Sequence, residues 1–251
     1  MKLKLRKAGY YAVILIFLFN TPTQGLSCVK LLGAGKTYAT PYYIIDSDIS
    51  GPAVCIIGGT HGDEPAGCRT AQELLTLKPD CGKLIIIPMA NLRAVKLGRR
   101  EIPGEGDLNR CYPGSATGIL MEELAFEMFE LMKEQKISVL VDLHESLDYH
   151  LINNQYLGQT VIAYGNEMSI WAGGIAIEKV NAGIAIPAEK FSLLKNPIKG
   201  STAWAVGKYL QVPSFTVETC KKLKLSDRTD YMDQIIRCVL AEVGVRLPCK
   251  G

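Results

Sequence analysis

The sequence predicts a single α/β domain in which helices flank a twisted β-sheet. Strand-like apolar runs alternate with segments of helical spacing along the chain, the pattern of a layered α/β fold. Several of the strand-like runs are short and apolar throughout, as strands covered on both faces are. The chain beyond its first residues is long enough for one sizeable core, and no linker or low-complexity stretch divides it.

The elements follow in order. Residues 37–46 and 53–57 read as the first strands. A helix is expected over 64–77, entered through Pro65 near its first turn. Residues 83–88 form a short β-branched run, hence a buried strand. The segment 120–135 places apolar residues at helical spacing with Glu and Lys between them and is the clearest amphipathic helix. Further buried strands are expected at 137–143, 160–164 and 214–217, and helices at 167–181, 202–210 and 229–243. Two stretches, 91–115 and 187–200, are rich in Gly, Pro, Lys and Arg and read as long surface loops, which in a compact domain are often functional.

The N-terminus has the form of an export signal. Lys2, Lys4, Arg6 and Lys7 precede an apolar run over 8–19, and small or polar residues follow to Ser27. The apolar run is shorter than the roughly 20 residues a membrane-spanning helix needs. Residues 1–27 are therefore expected to be a signal, cleaved after Gly25 or Ser27, with the catalytic domain at 28–251 and a periplasmic or extracellular destination. A retained anchor, or lipidation of Cys28 in Gly25-Leu26-Ser27-Cys28, is the one route to a membrane. Net charge is +3, and part of it leaves with the signal, so no basic surface argues for nucleic acid. Lys221, Lys222 and Lys224 read as a solvated face. The eight cysteines contain no CxxC pair, which leaves metal clusters and dithiol redox chemistry unsupported. Cys55, inside an apolar run, reads as a small buried hydrophobe.

The chemistry-bearing residues are few. Of three histidines, two stand at the ends of apolar runs: His61 in Gly58-Gly59-Thr60-His61-Gly62-Asp63-Glu64, and His144 after the run from Ile137. In an open α/β sheet the strand ends converge on one crevice, where ligands bind. His61, Glu64 and His144 form a His₂Glu set of the kind that holds zinc and leaves one position open, the arrangement used for hydrolysis. In Asp107-Leu108-Asn109-Arg110-Cys111-Tyr112-Pro113-Gly114, the amide of Asn109 and the guanidinium of Arg110 suit a carboxylate. Arg100, upstream in the same loop, is placed to polarise a carbonyl or stabilise an oxyanion. Glu218 follows the run 214–217 and is a candidate general base.

In order along the chain, Gly-x-x-His-Gly-x-Glu, Arg…Asp-Leu-Asn-Arg-x-Tyr-Pro-Gly, Asp-Leu-His and Thr-Val-Glu resemble the motifs of the succinylglutamate desuccinylase/aspartoacylase family, part of the zinc carboxypeptidase superfamily. The resemblance runs from His61 to Glu218. It implies a zinc carboxypeptidase-like mixed sheet flanked by helices and one zinc per chain. It implies His61, Glu64 and His144 as ligands and Arg100, Asn109 and Arg110 as contacts to the substrate's carbonyl and carboxylate. Glu218 becomes the general base. The chain also departs from the pattern. Aspartoacylases carry a β-rich C-terminal region larger than the residues after Glu218 are expected to hold, and Thr219-Cys220 stand where glycines often follow the catalytic Glu.

The expected activity is that of a secreted zinc-dependent hydrolase of an amide bond, acting on a small acyl-amino acid or peptide with a free carboxylate. A metallocarboxypeptidase of peptides or cell-wall fragments is the alternative within the same chemistry. A non-catalytic zinc-binding protein is the alternative of another class, against which an aligned Glu218 argues, since a pure binder needs no base.

Overall fold

The structure, a computed structural model, describes residues 29–249; the expected signal over 1–27 and Cys28 lie outside the described residues. The strands are β1 (Lys30–Leu32), β2 (Thr40–Asp46), β3 (Ala53–Ile57), β4 (Lys83–Ile87), β5 (Val139–Ser146), β6 (Thr160–Tyr164), β7 (Ser192–Lys195) and β8 (Ser214–Cys220). The helices are α1 (Pro65–Leu74), α2 (Leu92–Leu97), α3 (Leu120–Glu134), α4 (Glu167–Asn181), α5 (Thr202–Ala205, continued by a π-helical turn to Leu210) and α6 (Leu225–Glu242). The strands form one mixed eight-stranded sheet in the order β1-β2-β4-β3-β5-β8-β6-β7. Its centre, β4-β3-β5-β8, is parallel, and β2 and β6 run antiparallel to their inner neighbours. The expected α/β sandwich with a mixed sheet is the fold observed.

Strand alternation divides the core in two. Val54, Ile56, Val141, Leu143, Phe215 and Val217 join the apolar cluster under α1, α4 and α6. Cys55, Ile57 and Leu140 point to the other side, beneath α3 and α5, with Met121, Leu124 and Met128 of α3. Every residue of β3 is buried, which accounts for its unbroken apolar sequence. Truncating one such side chain, Ile56→Ala for example, removes its packing on both neighbouring strands and costs about 2–5 kcal/mol. Cys55 is fully buried among them, and among the described residues no cysteine is bonded to another.

The two expected long loops are more ordered than their composition suggests. The first holds α2, started by Asn91, whose side-chain oxygen accepts from the Ala94 N–H at 3.1 Å, and ended by Gly98 with φ 58°. A capping residue at one end and a left-handed glycine at the other carry that helix. The second holds β7, which pairs in parallel with β6 at the sheet edge. Four residues flanked by Gly, Pro and Lys give too little alternation to mark an edge strand. β5 and β8 also run further than their apolar stretches, to Ser146 and Cys220, so His144 and Glu218 lie within strands and not just beyond them. Backbone pairing continues there because both strands are central and their polar side chains have a cleft to enter.

Candidate metal and catalytic site

The site forms at the C-terminal ends of β3, β5 and β8. The chain leaves β3 through Gly58-Gly59 and presents His61 and then Glu64, the N-cap of α1. Gly62 allows a close approach to α2. A Cβ there would lie 2.1 Å from the Ala94 carbonyl, so only glycine lets this loop rest on α2. His144 comes from β5 on the α3/α5 face of the sheet. Its register partner in β8 is Glu218, which alternation turns to the same face.

His61, Glu64 and His144 are buried and offer ligand atoms that all lie within 4.8 Å of one another. His61 Nδ1 is 2.8 Å from Glu64 Oε1, His144 Nδ1 is 3.0 Å from Glu64 Oε2, and the two Nδ1 atoms are 3.2 Å apart. The far nitrogens have partners of their own. His61 Nε2 meets Asp107 Oδ1 at 3.2 Å, and His144 Nε2 lies 3.1 Å from Asp142 Oδ2, close enough for an ion pair though not aligned as a hydrogen bond. Thr60 donates to the other Asp142 oxygen at 3.3 Å. Carboxylates behind two imidazoles fix ring orientation and raise ligand basicity, as outer partners do at metal sites. Two ring nitrogens facing one another beside a carboxylate suit a divalent cation with mixed N and O ligands, zinc among them.

The electrostatics agree with this donor chemistry. Burial alone would raise the Glu64 pKa, but hydrogen bonds from His144 and His61 hold it well below the usual carboxylate range. Asp107 is held low in spite of burial by His61, Arg100 and the Asn109 N–H. Burial would lower the His144 pKa, yet Asp142 and Glu64 raise it well above the usual value, and Asp107 and Glu64 raise that of His61 in the same way. Glu218 behaves in the opposite sense. It is 8% exposed, its carboxylate has no hydrogen-bond or ion-pair partner among the described residues, and burial pushes its pKa up to about 7.

Of the residues expected to meet substrate, Arg100 touches this centre, and Asn109 and Arg110 follow Asp107 in the turn behind His61. Arg100, half exposed, reaches Asp107 at 3.1 Å and Glu64 at 3.5 Å. Asn109 is buried, and its side-chain oxygen accepts from the Thr202 N–H at 3.3 Å, which leaves its amide NH₂ uncommitted. Arg110 is exposed and donates to the Asn109 carbonyl at 2.7 Å. The Tyr112 N–H donates to the Gly200 carbonyl at 2.9 Å, so the 196–201 loop backs this segment. His150, the third histidine, sits away from the centre with Nδ1 2.9 Å from the Tyr156 carbonyl.

Sequence reasoning gave no role to Asp107, Asp142 or Arg228. Asp142 had a signal, since residues two apart on a strand share a face. Asp107 had one too: its side chain accepts from the Asn109 N–H at 2.9 Å, an Asx turn that Asp-x-Asn announces. Nothing local marks Arg228, which lies 83 residues from Glu145, its partner.

The mixed sheet flanked by helices is a zinc carboxypeptidase-like fold, similar to that of solved structures of the aspartoacylase type. The family resemblance is carried by the chain's own residues: 50–153 match the succinylglutamate desuccinylase/aspartoacylase catalytic domain. N-alpha-acetyl-L-2,4-diaminobutyric acid deacetylase of Halomonas elongata is 38% identical over 98 residues, which cover 38% of this chain and 28% of the relative. Among solved structures, product-bound Csd4, a cell shape determinant of Helicobacter pylori, is similar with a TM-score of 0.75 at 18% identity, over 84% of this chain and 57% of that one. A succinylglutamate desuccinylase/aspartoacylase of Rhodobacter sphaeroides follows with 0.64 at 20% identity, over 85% and 60%. The chain thus spans less than two thirds of the length of each, and the structural likenesses speak to the fold.

Proposed function

We propose that the protein is a zinc-dependent hydrolase that cleaves an amide bond in a substrate bearing a free carboxylate. One observation carries the reading: three donors of a His₂Glu set converge while Glu218, buried and without a partner, stands opposite His144 in the next strand. A buried carboxylate with a pKa near neutrality and no structural partner is poised for proton transfer. Zinc bound there would supply a Lewis acid that polarises the scissile carbonyl and acidifies water. Glu218 takes the proton of the attacking water and returns it to the departing amine. Asp107 and Asp142 keep the His61 and His144 rings aimed at the centre. Arg100 lies beside Glu64, where it meets the negative charge that develops on the carbonyl oxygen. Asn109 and Arg110 take the substrate carboxylate.

Support for amide chemistry also comes from relatives: one is named as a deacetylase, and Csd4 is described as a D,L-carboxypeptidase. Deacylation and carboxypeptidase cleavage share these steps and differ in which side of the amide carries the recognised group. The basic and apolar N-terminal residues support export, with the catalytic domain over 28–251. No helix among the described residues is long and apolar enough to cross a membrane. The test is elemental analysis followed by a substrate panel. About one zinc per chain is expected, lost in His144→Ala. Turnover of N-acyl amino acids, short peptides or muropeptides then distinguishes deacylase from carboxypeptidase, and zinc without any turnover would favour a pure binder.

A further inference from the structure

A buried ion pair lies behind the site, on the opposite face of the sheet. Glu145 follows His144 in β5, so its side chain points away from the ligands and towards α1 and α6. There it pairs with Arg228 of α6; the Glu145 side chain is fully buried and that of Arg228 nearly so. Its other oxygen accepts from the Ala66 N–H, in the first turn of α1, at 2.9 Å.

That contact matters because of what α1 lacks. Helix starts leave N–H groups unpaired, and the N-cap side chain ordinarily accepts from one of them. The N-cap of α1 is Glu64, whose side chain makes no capping hydrogen bond, being turned instead to His61 and His144. Glu145 supplies the missing acceptor from the neighbouring strand. Its own backbone N–H donates to Glu64 Oε2 at 3.1 Å, so one residue holds both the helix start and the Glu64 carboxylate. The helix start is pressed against β5: a Cβ on Gly67 would fall 2.7 Å from the Leu143 carbonyl. An error in the position of α1 is therefore passed directly to Glu64.

We propose that Glu145, locked by Arg228, is a positioning residue that caps α1 in place of Glu64 and so frees and aims the Glu64 carboxylate for the metal. The inference rests on the metal-site reading above, and it ties α6 to the ligand set through a single buried pair. Glu145, turned away from the ligands and held by Arg228 and the Ala66 N–H, is not placed to act as a general base.

The experiment measures zinc affinity of the full chain by competition with a chromophoric chelator, with the visible spectrum of the cobalt-substituted protein as a second readout. In Glu145→Ala, affinity is expected to fall by about 10- to 100-fold, the usual cost of losing an outer partner at a metal site. The cobalt bands should shift as Glu64 loses its aim. Glu145→Gln keeps an acceptor for the Ala66 N–H and should recover most of the affinity. A merely structural role would lower thermal stability in Glu145→Ala and leave both metal readouts unchanged. The double variant Glu145→Leu with Arg228→Leu buries no unpaired charge, so it folds where a single variant fails and must show the same loss of affinity. Wild-type affinity in the folded variants, with zinc lost in His144→Ala, would overturn the positioning role and leave the metal site standing. Absence of zinc binding in the wild type would overturn both.

Discussion

Two buried glutamates stand on the two faces of the β5–β8 strand pair, and they have opposite fates. Glu145, at 4% exposure, has partners: burial leaves its pKa raised, but the Ala66 N–H and the Arg228 guanidinium work against that rise. Glu218, at 8%, has only the nearby His144 and His61 charges to set against burial, and these do not prevent its rise to about 7. Burying a carboxylate without a partner is costly, and such groups cluster at functional sites. The two sides of one strand pair thus separate structure from chemistry. The face that packs against α1 and α6 pairs its charge, while the face at the cleft leaves one free.

The largest expected effect breaks this contrast on the cleft side. Glu218→Gln should lower turnover by about 10²–10⁴-fold, the range for a lost general base, while the protein keeps its zinc and its fold. Steady-state kinetics with a zinc determination checks this, and near-normal turnover would move the base elsewhere. The matching break on the other face is Arg228→Met, which leaves Glu145 buried and unpaired. It should cost about 3–5 kcal/mol in urea unfolding, where a surface ion pair would cost about 1 or less.

A smaller effect is expected at the rim, which belongs to neither glutamate. Arg110→Lys keeps the charge but loses the planar fork, so kcat/KM should fall by about one to two orders of magnitude, as roughly 1.4–2.8 kcal/mol corresponds to. Comparing a free-acid substrate with its carboxamide sharpens this, since wild type should prefer the acid strongly and Arg110→Lys less so. An equal preference in both proteins would remove Arg110 from recognition. The gentlest probe is pH. Burial raises the Glu218 pKa to about 7, and a bound divalent cation lowers it, so turnover should rise with pH and level off at or below about 7. Stability moves the other way. The folded pKa of Glu218 lies above its ordinary 4.5, so the stability it contributes is full below 4.5 and lost as pH rises towards 7. Glu218→Gln should abolish that part of the slope in thermal melts across the window. An unchanged slope would mean that Glu218 is not the buried, unpaired acid described here.

Much of the fold was legible in sequence for local reasons. The apolar runs of β3 and β4 announce strands covered on both faces, and the spacing over 120–135 announces α3, whose Glu122 reaches back to the Ile119 N–H at 3.0 Å. The short edge strand β7 and helix α2 were hidden because composition, the signal used for them, averages over the few residues that carry the caps and pairings. At the site, residue types and strand-end placement were enough to nominate His61, Glu64, His144 and Glu218 as a set.

Sequence by itself thus determined which segments pair or coil, because alternation, helical spacing and caps are properties of near neighbours. It also determined which few side chains could hold a metal, because their chemistry is intrinsic to their type. Only the tertiary structure decided what each does. The register of β5 on β8 sets Glu218 opposite His144, far away in the chain, and folding brings Asp107 behind His61. Long-range packing also chose between two glutamates that look alike in sequence. Alternation beside His144 sets the face of Glu145, but the arrival of an arginine from α6 on that face, and the lack of a partner for Glu218 on the other, are not written within a few residues of either one.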